Sequence, residues 1–225
     1  MKKIFSIPIN PKLTEPQFND FLGFLHTYKD YIYDLYFTSR MPPFVQDAMG
    51  DVFNGPPDHL SILDNAINVS KDTGIPLSAT FNNTLVRPSQ NNLDLFLQNF
   101  KQLYDTGVVR SATIPHTHWV ATKQIQSAFP ELEIKNTILR NVTEPREVVA
   151  LGEAGFNYVN LDRDLMRDHD KLKEMKRAKE HAGVKLSLLA NEGCIGNCPM
   201  MDEHYEFNNS RTNEAQYFND PMSRV

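Results

Sequence analysis

PLSATFNNTLVRPSQNNLDLFLQNFKQLYDTGVVRSATIPH, residues 76–116, is the stretch on which the fold turns. Its two ends, PLSATFNN and VRSATIPH, are short apolar runs of strand length bounded by turn residues. Between them Asn92 to Tyr104 has helical period, and Ser89 stands ahead of it where an N-cap belongs. Gly107 follows at the C-cap, two residues before the second strand. A strand, a helix and a strand joined this closely make one parallel βαβ unit.

The unit repeats outward in both directions. KIFSIPI (3–9) and IYDLYFTS (32–39) lie upstream, and EIKNTIL (133–139), NYVNLDR (157–163) and KLSLLAN (185–191) lie downstream, so the chain offers seven candidate strands. Helical patterns over 18–26, 60–70, 118–128, 143–154 and 172–182 separate them, and Gly74, Gly155 and Gly183 occupy the same joint as Gly107. An open doubly wound sheet would use the same units, but the first turn has no G-x-G-x-x-G and no P-loop occurs in the chain. The expectation is a TIM-barrel-like (β/α) repeat of about seven parallel strands over residues 1–201, truncated before an eighth. Residues 202–225 read as an irregular polar segment, the start of a missing continuation. Such a barrel would leave open edges through which a homo- or hetero-oligomer could form.

The 225 residues are 40% hydrophobic and 23% charged, which suits one domain with a sizeable core. A net charge of −5 argues against a surface devoted to phosphates, while a local basic groove, and RNA as its partner, stays open. No apolar run approaches the ~20 residues that span a bilayer, and the opening MKKIFSIPINPKL has no secretory cleavage pattern. The reading is a cytosolic protein with no membrane partner. Two cysteines in so long a chain do not make a secreted disulfide framework, and close-spaced thiols in a reducing compartment point to metal or redox chemistry.

In barrels of this kind the chemistry sits at the C-terminal ends of the strands. Those ends carry Arg40, Asn82, His116, Arg140, Asp162, Asn191 and Glu192, a set suited to holding carboxylates or carbonyls, so a small carboxylated ligand is expected there. The opposite joints read as plain Gly and Pro turns. The local alternative is that the Asn and Asp side chains cap helices and that Asp162 and Asp164 pair with neighbouring arginines. Trp119, Tyr205 and Phe207 could stack on a ring or simply pack. Directly after the seventh strand comes Asn191-Glu-Gly-Cys-Ile-Gly-Asn-Cys-Pro, whose glycines let the backbone curl and whose spacing brings Cys194 and Cys198 within reach of one metal. Iron–sulfur clusters take four thiolates, so a cluster would need donors from beyond Val225, from a partner, or from non-cysteine ligands such as His204. A zinc site of Cys194, Cys198 and His204 is the alternative.

LSLLANEGCIGNCPMMDEHYEF resembles the cysteine segment of the collagenase-like peptidase family, the thirty-second of the peptidases of unknown type, and NYVNLDRDLMRD resembles the strand and loop before it. The resemblance is strongest over residues 144–207. It implies a barrel-like domain and a [4Fe–4S] cluster for which Cys194 and Cys198 would supply the first two of four cysteines. It further implies either peptidase activity or oxygen-independent hydroxylation of RNA bases or of an aromatic precursor, with prephenate as oxygen donor. The chain has no G-x-S-x-G and no H-E-x-x-H, which weighs against peptide hydrolysis. The leading expectation is an iron–sulfur barrel protein of redox or hydroxylation type. A zinc-dependent peptidase and a non-catalytic partner subunit are the alternatives.

Overall fold

The computed structural model describes residues 4–9, 14–39, 41, 59–84, 86–190 and 203. Seven parallel strands lie in sequential order: β1 Phe5–Pro8, β2 Ile32–Thr38, β3 Leu77–Thr80, β4 Val109–Ile114, β5 Glu133–Asn136, β6 Tyr158–Asn160 and β7 Lys185–Ser187. The helices between them are α1 Glu15–Tyr28, α2 His59–Thr73, α3 Gln90–Tyr104, α4 Thr117–Ala121, α5 Gln124–Ala128, α6 Pro145–Ala154 and α7 His169–Ala182. This is a curled, open α/β sheet of TIM-barrel type, and all seven candidate strands are present in it.

The joints follow from local chemistry. Ser89 Oγ accepts from the Asn92 backbone N–H and starts α3, while Glu147 reaches back to accept from the N–H groups of Thr143 and Glu144 at the head of α6. The one expected helix over 118–128 is instead two, because Lys123 takes a left-handed φ of 62°. Its ammonium donates to the carbonyls of Glu153 and Ala154, an interaction that holds the break in place.

Alternation along each strand sends two different populations to the two faces. Leu35, Phe37, Leu77, Ala79, Ala112, Ile114, Ile134 and Val159 are buried beneath the helices. Under α3 and α4 the core is aromatic: Phe96 stacks on Phe100 at 5.3 Å, and Phe81, Trp119 and Phe129 close around the pair at 5.2, 5.7 and 5.0 Å from it. Trp119 is therefore a core residue, not a stacking platform for a ligand.

The concave face is polar. Asp34 on β2 accepts from Ser111 on β4 at 3.1 Å and from Lys135 on β5. Side chains on strands two and three places apart meet only if the sheet curls around them. Ser6, Ser78, Ser111 and Thr113 continue this face in place of the branched apolar residues that usually fill such a barrel.

Candidate functional site

At the C-terminal edge of the sheet each strand hands over to a loop carrying polar side chains. Ser39 follows β2, is fully buried, and its Oγ has no hydrogen-bond partner among the described residues. Asn82 and Asn83 follow β3, half-buried and buried respectively. His116 follows β4 and forms an edge-to-face contact with Trp119 at 4.8 Å. Burial lowers its pKa and favours the neutral ring, an effect a hydrogen bond with the Val86 backbone partly offsets, and its Nε2 is buried without a partner among the described residues.

The ends of β5 and β6 are tied by a reciprocal amide pair. Asn136 accepts from the backbone N–H of Asn160 at 2.6 Å and donates to its carbonyl at 3.2 Å, while the Asn160 side chain donates to the carbonyl of Asn136. The pair extends a ladder in which only Lys135 and Tyr158 are in register, and so fixes the loops that follow. After β6 comes Asp162, buried, whose carboxylate accepts from the Asp164 N–H at 2.8 Å and caps the turn Arg163–Arg167. Arg163 is buried beside it.

Of the residues singled out from the sequence, Asn82, His116 and Asp162 lie buried or half-buried at this one mouth, and Asp162 is satisfied as a cap. Arg140 belongs to the short turn Ile138–Arg140 after β5 and is exposed. Arg40, Asn191, Glu192, Cys194, Cys198 and His204 lie outside the described residues. Among the described residues no group of three or more His, Cys, Asp or Glu side chains could hold a metal ion.

At the opposite end of the barrel the joints are glycine turns as expected, with Gly74, Gly107, Gly155 and Gly183 all at positive φ, but the strands beside them carry a polar cluster. Asp34 and Lys135 form a buried ion pair, with Ser6 and Ser111 also donating to the carboxylate. Beside it Tyr33 donates to Glu133, and Lys185 donates to both Glu133 and the Tyr33 oxygen, the latter at 2.6 Å. The Tyr33 and Tyr158 rings, 5.6 Å apart, face the Lys135 ammonium at 5.7 and 5.3 Å and the Lys185 ammonium at 4.9 and 6.0 Å. Burial and the Glu133 carboxylate push the Tyr33 phenol well above its usual range, and burial first, then Asp34, raise that of Tyr158. These residues went unnoticed in the sequence, although a charged residue in the middle of a short parallel strand, as in YDL and IKN, was the available signal.

No protein-family model matches the chain, and no curated protein matches it in sequence. Its fold is similar to that of the U32 peptidase Mk0906, with a TM-score of 0.70 at 12% identity over 99% of this chain and 84% of that one. An enolase from alpha proteobacterium bal199, solved with bound magnesium, gives a TM-score of 0.54 at 14% identity over 94% of this chain and 52% of its own. The L-talarate/galactarate dehydratase from Salmonella typhimurium LT2 gives 0.51 at 13% identity over 84% of this chain and 42% of its own. These likenesses establish the fold: a U32-peptidase-like, TIM-barrel-type architecture. Among the described residues no helix is long and apolar enough to cross a membrane.

Proposed function

We propose that the C-terminal mouth of this barrel binds a small carboxylated molecule and that the protein uses it in redox or hydroxylation chemistry on an RNA base or a small aromatic substrate, beside a metal centre begun by Cys194 and Cys198. The observation that carries the reading is the burial of polar groups at that mouth. The Ser39 hydroxyl and His116 Nε2 are removed from solvent with no partner among the described residues, which is costly unless a ligand or further groups complete them. Strand β7 runs out at this same edge, and the Asn191–Pro199 segment with both cysteines follows it in sequence.

The donor set fits an iron–sulfur cluster in part. The chain has two cysteines, and a [4Fe–4S] cluster takes four thiolates, so further donors would come from outside this sequence or from a non-cysteine ligand such as His204. A bound cluster would supply one-electron chemistry. The chain's own contribution would be to orient the carboxylated molecule, with Arg40, Arg140 and Asn191 as donors, and to keep His116 neutral as a hydrogen-bonding group.

The test is the iron, zinc and acid-labile sulfide content of protein purified without oxygen, before and after Cys194→Ala and Cys198→Ala. Iron with matching sulfide that both substitutions remove supports the reading. Zinc alone, lost also in His204→Ala, would replace it with a metal-dependent hydrolase, and the absence of any metal would overturn both.

A further inference from the structure

The N-terminal end of the barrel holds an open recess of about 360 Å³, a volume suited to a small ligand, lined by Tyr33, Pro76, Arg110, Ser111, Glu131 and Glu133, with Asp34 beside them. Two irregularities of the sheet build it. Between β1 and β2 the paired residues jump from Ile32 to Asp34, and between β3 and β4 from Val109 to Ser111. Tyr33 and Arg110 are thus the extra residues of two β-bulges, a device that re-aims a side chain at a barrel rim. Both are aimed at the same recess.

The donors and acceptors that line the recess set the chemistry it offers a solute. Arg110 has five N–H donors and makes one bond among the described residues, to Glu131 at 2.7 Å. Glu133 offers about four lone-pair positions and accepts from Tyr33 and Lys185. Glu131 accepts, through its side chain, from Arg110 alone among the described residues, and the Ser111 hydroxyl, donating to Asp34, keeps its own acceptor positions. Among the described residues, donor positions of one guanidinium and acceptor positions of two carboxylates thus line the same recess, open to solvent and to a solute that could replace it. Arg110, Lys135 and Lys185 balance Asp34, Glu131 and Glu133 in charge, so the recess favours neither a simple anion nor a simple cation. Pro76 and the Tyr33 ring add an apolar wall.

We propose that this recess binds a free α-amino acid, with its carboxylate on Arg110, its ammonium on Glu131 and Glu133, and its side chain along Pro76 and Tyr33. The site lies at the opposite end of the barrel from the mouth, stands independently of the function proposed above, and would act as an effector site.

Isothermal titration calorimetry of the full chain against the twenty amino acids tests this, followed by the N-acetylated and C-amidated forms of any that bind. At least one amino acid binds, each blocked form fails, and Arg110→Gln weakens binding at least about tenfold, as expected for loss of a charge-assisted pair. Arg110 and Glu131 form an exposed pair, so Arg110→Gln and Glu131→Gln keep the unfolding midpoint of the parent protein and report on binding alone. Binding by none of the twenty, equal binding of the blocked forms, or unchanged affinity in both variants would overturn the assignment. Loss of binding in the Cys194→Ala, Cys198→Ala protein would overturn it too, by placing the ligand at the other end.

Discussion

Lys135 and Asp34 show how much a single pair of residues can be worth in the interior of this sheet. Both side chains are almost wholly removed from water, so each charge depends on the other and on the hydroxyls of Ser6 and Ser111. Replacing Lys135 by Met leaves the carboxylate buried and uncompensated, and should cost about 3–5 kcal/mol in urea unfolding. Adding Asp34→Asn to that variant removes the stranded charge and should recover part of the loss. Equal instability of the single and double variants would mean that packing, not charge, carries the effect. The candidate mouth was partly legible at this scale: Asn82, His116 and Asp162 stand at strand ends that the βα punctuation locates. Their roles were not legible, since capping by Asp162 and burial of His116 depend on how the following loop folds back.

At the scale of elements, stability is set by caps and by one apolar face per helix. In α3, Leu93, Phe96, Phe100 and Leu103 are buried while Ser89 holds the first turn. Ser89→Ala should therefore lower stability by about 1 kcal/mol without altering the strands, read as a shift in the urea midpoint at constant slope. Element positions were readable because periodicity and caps are local properties of the chain. The split between α4 and α5 was not, because Lys123 holds a left-handed backbone through bonds to carbonyls about thirty residues downstream. The two bulges were equally hidden: a residue becomes extra only by comparison with the strand beside it.

Across the whole molecule, strands that are not neighbours are joined through the concave face. Lys185 on β7 donates to Tyr33 on β2 and to Glu133 on β5, a tie across the floor of an open barrel. Lys185→Met cuts it at a half-exposed position, so the loss should be modest, about 1 kcal/mol or less. Hydrogen exchange should nevertheless speed up selectively over Lys185–Ser187 and Tyr158–Asn160, while β3 and β4 stay protected. Uniform acceleration would show that the tie has no local role.

Local pattern sufficed for the parallel βα order, the strand and helix positions, the caps and the polar character of one sheet edge, since each is written within a dozen residues of chain. Only the curling of the open sheet decided that Asp34 meets Lys135 and that Tyr33 meets Glu133 and Lys185. Those partners are 100 residues or more apart, and the Coulombic and hydrogen-bonding attraction that pairs them acts between strands that no sequence window contains together.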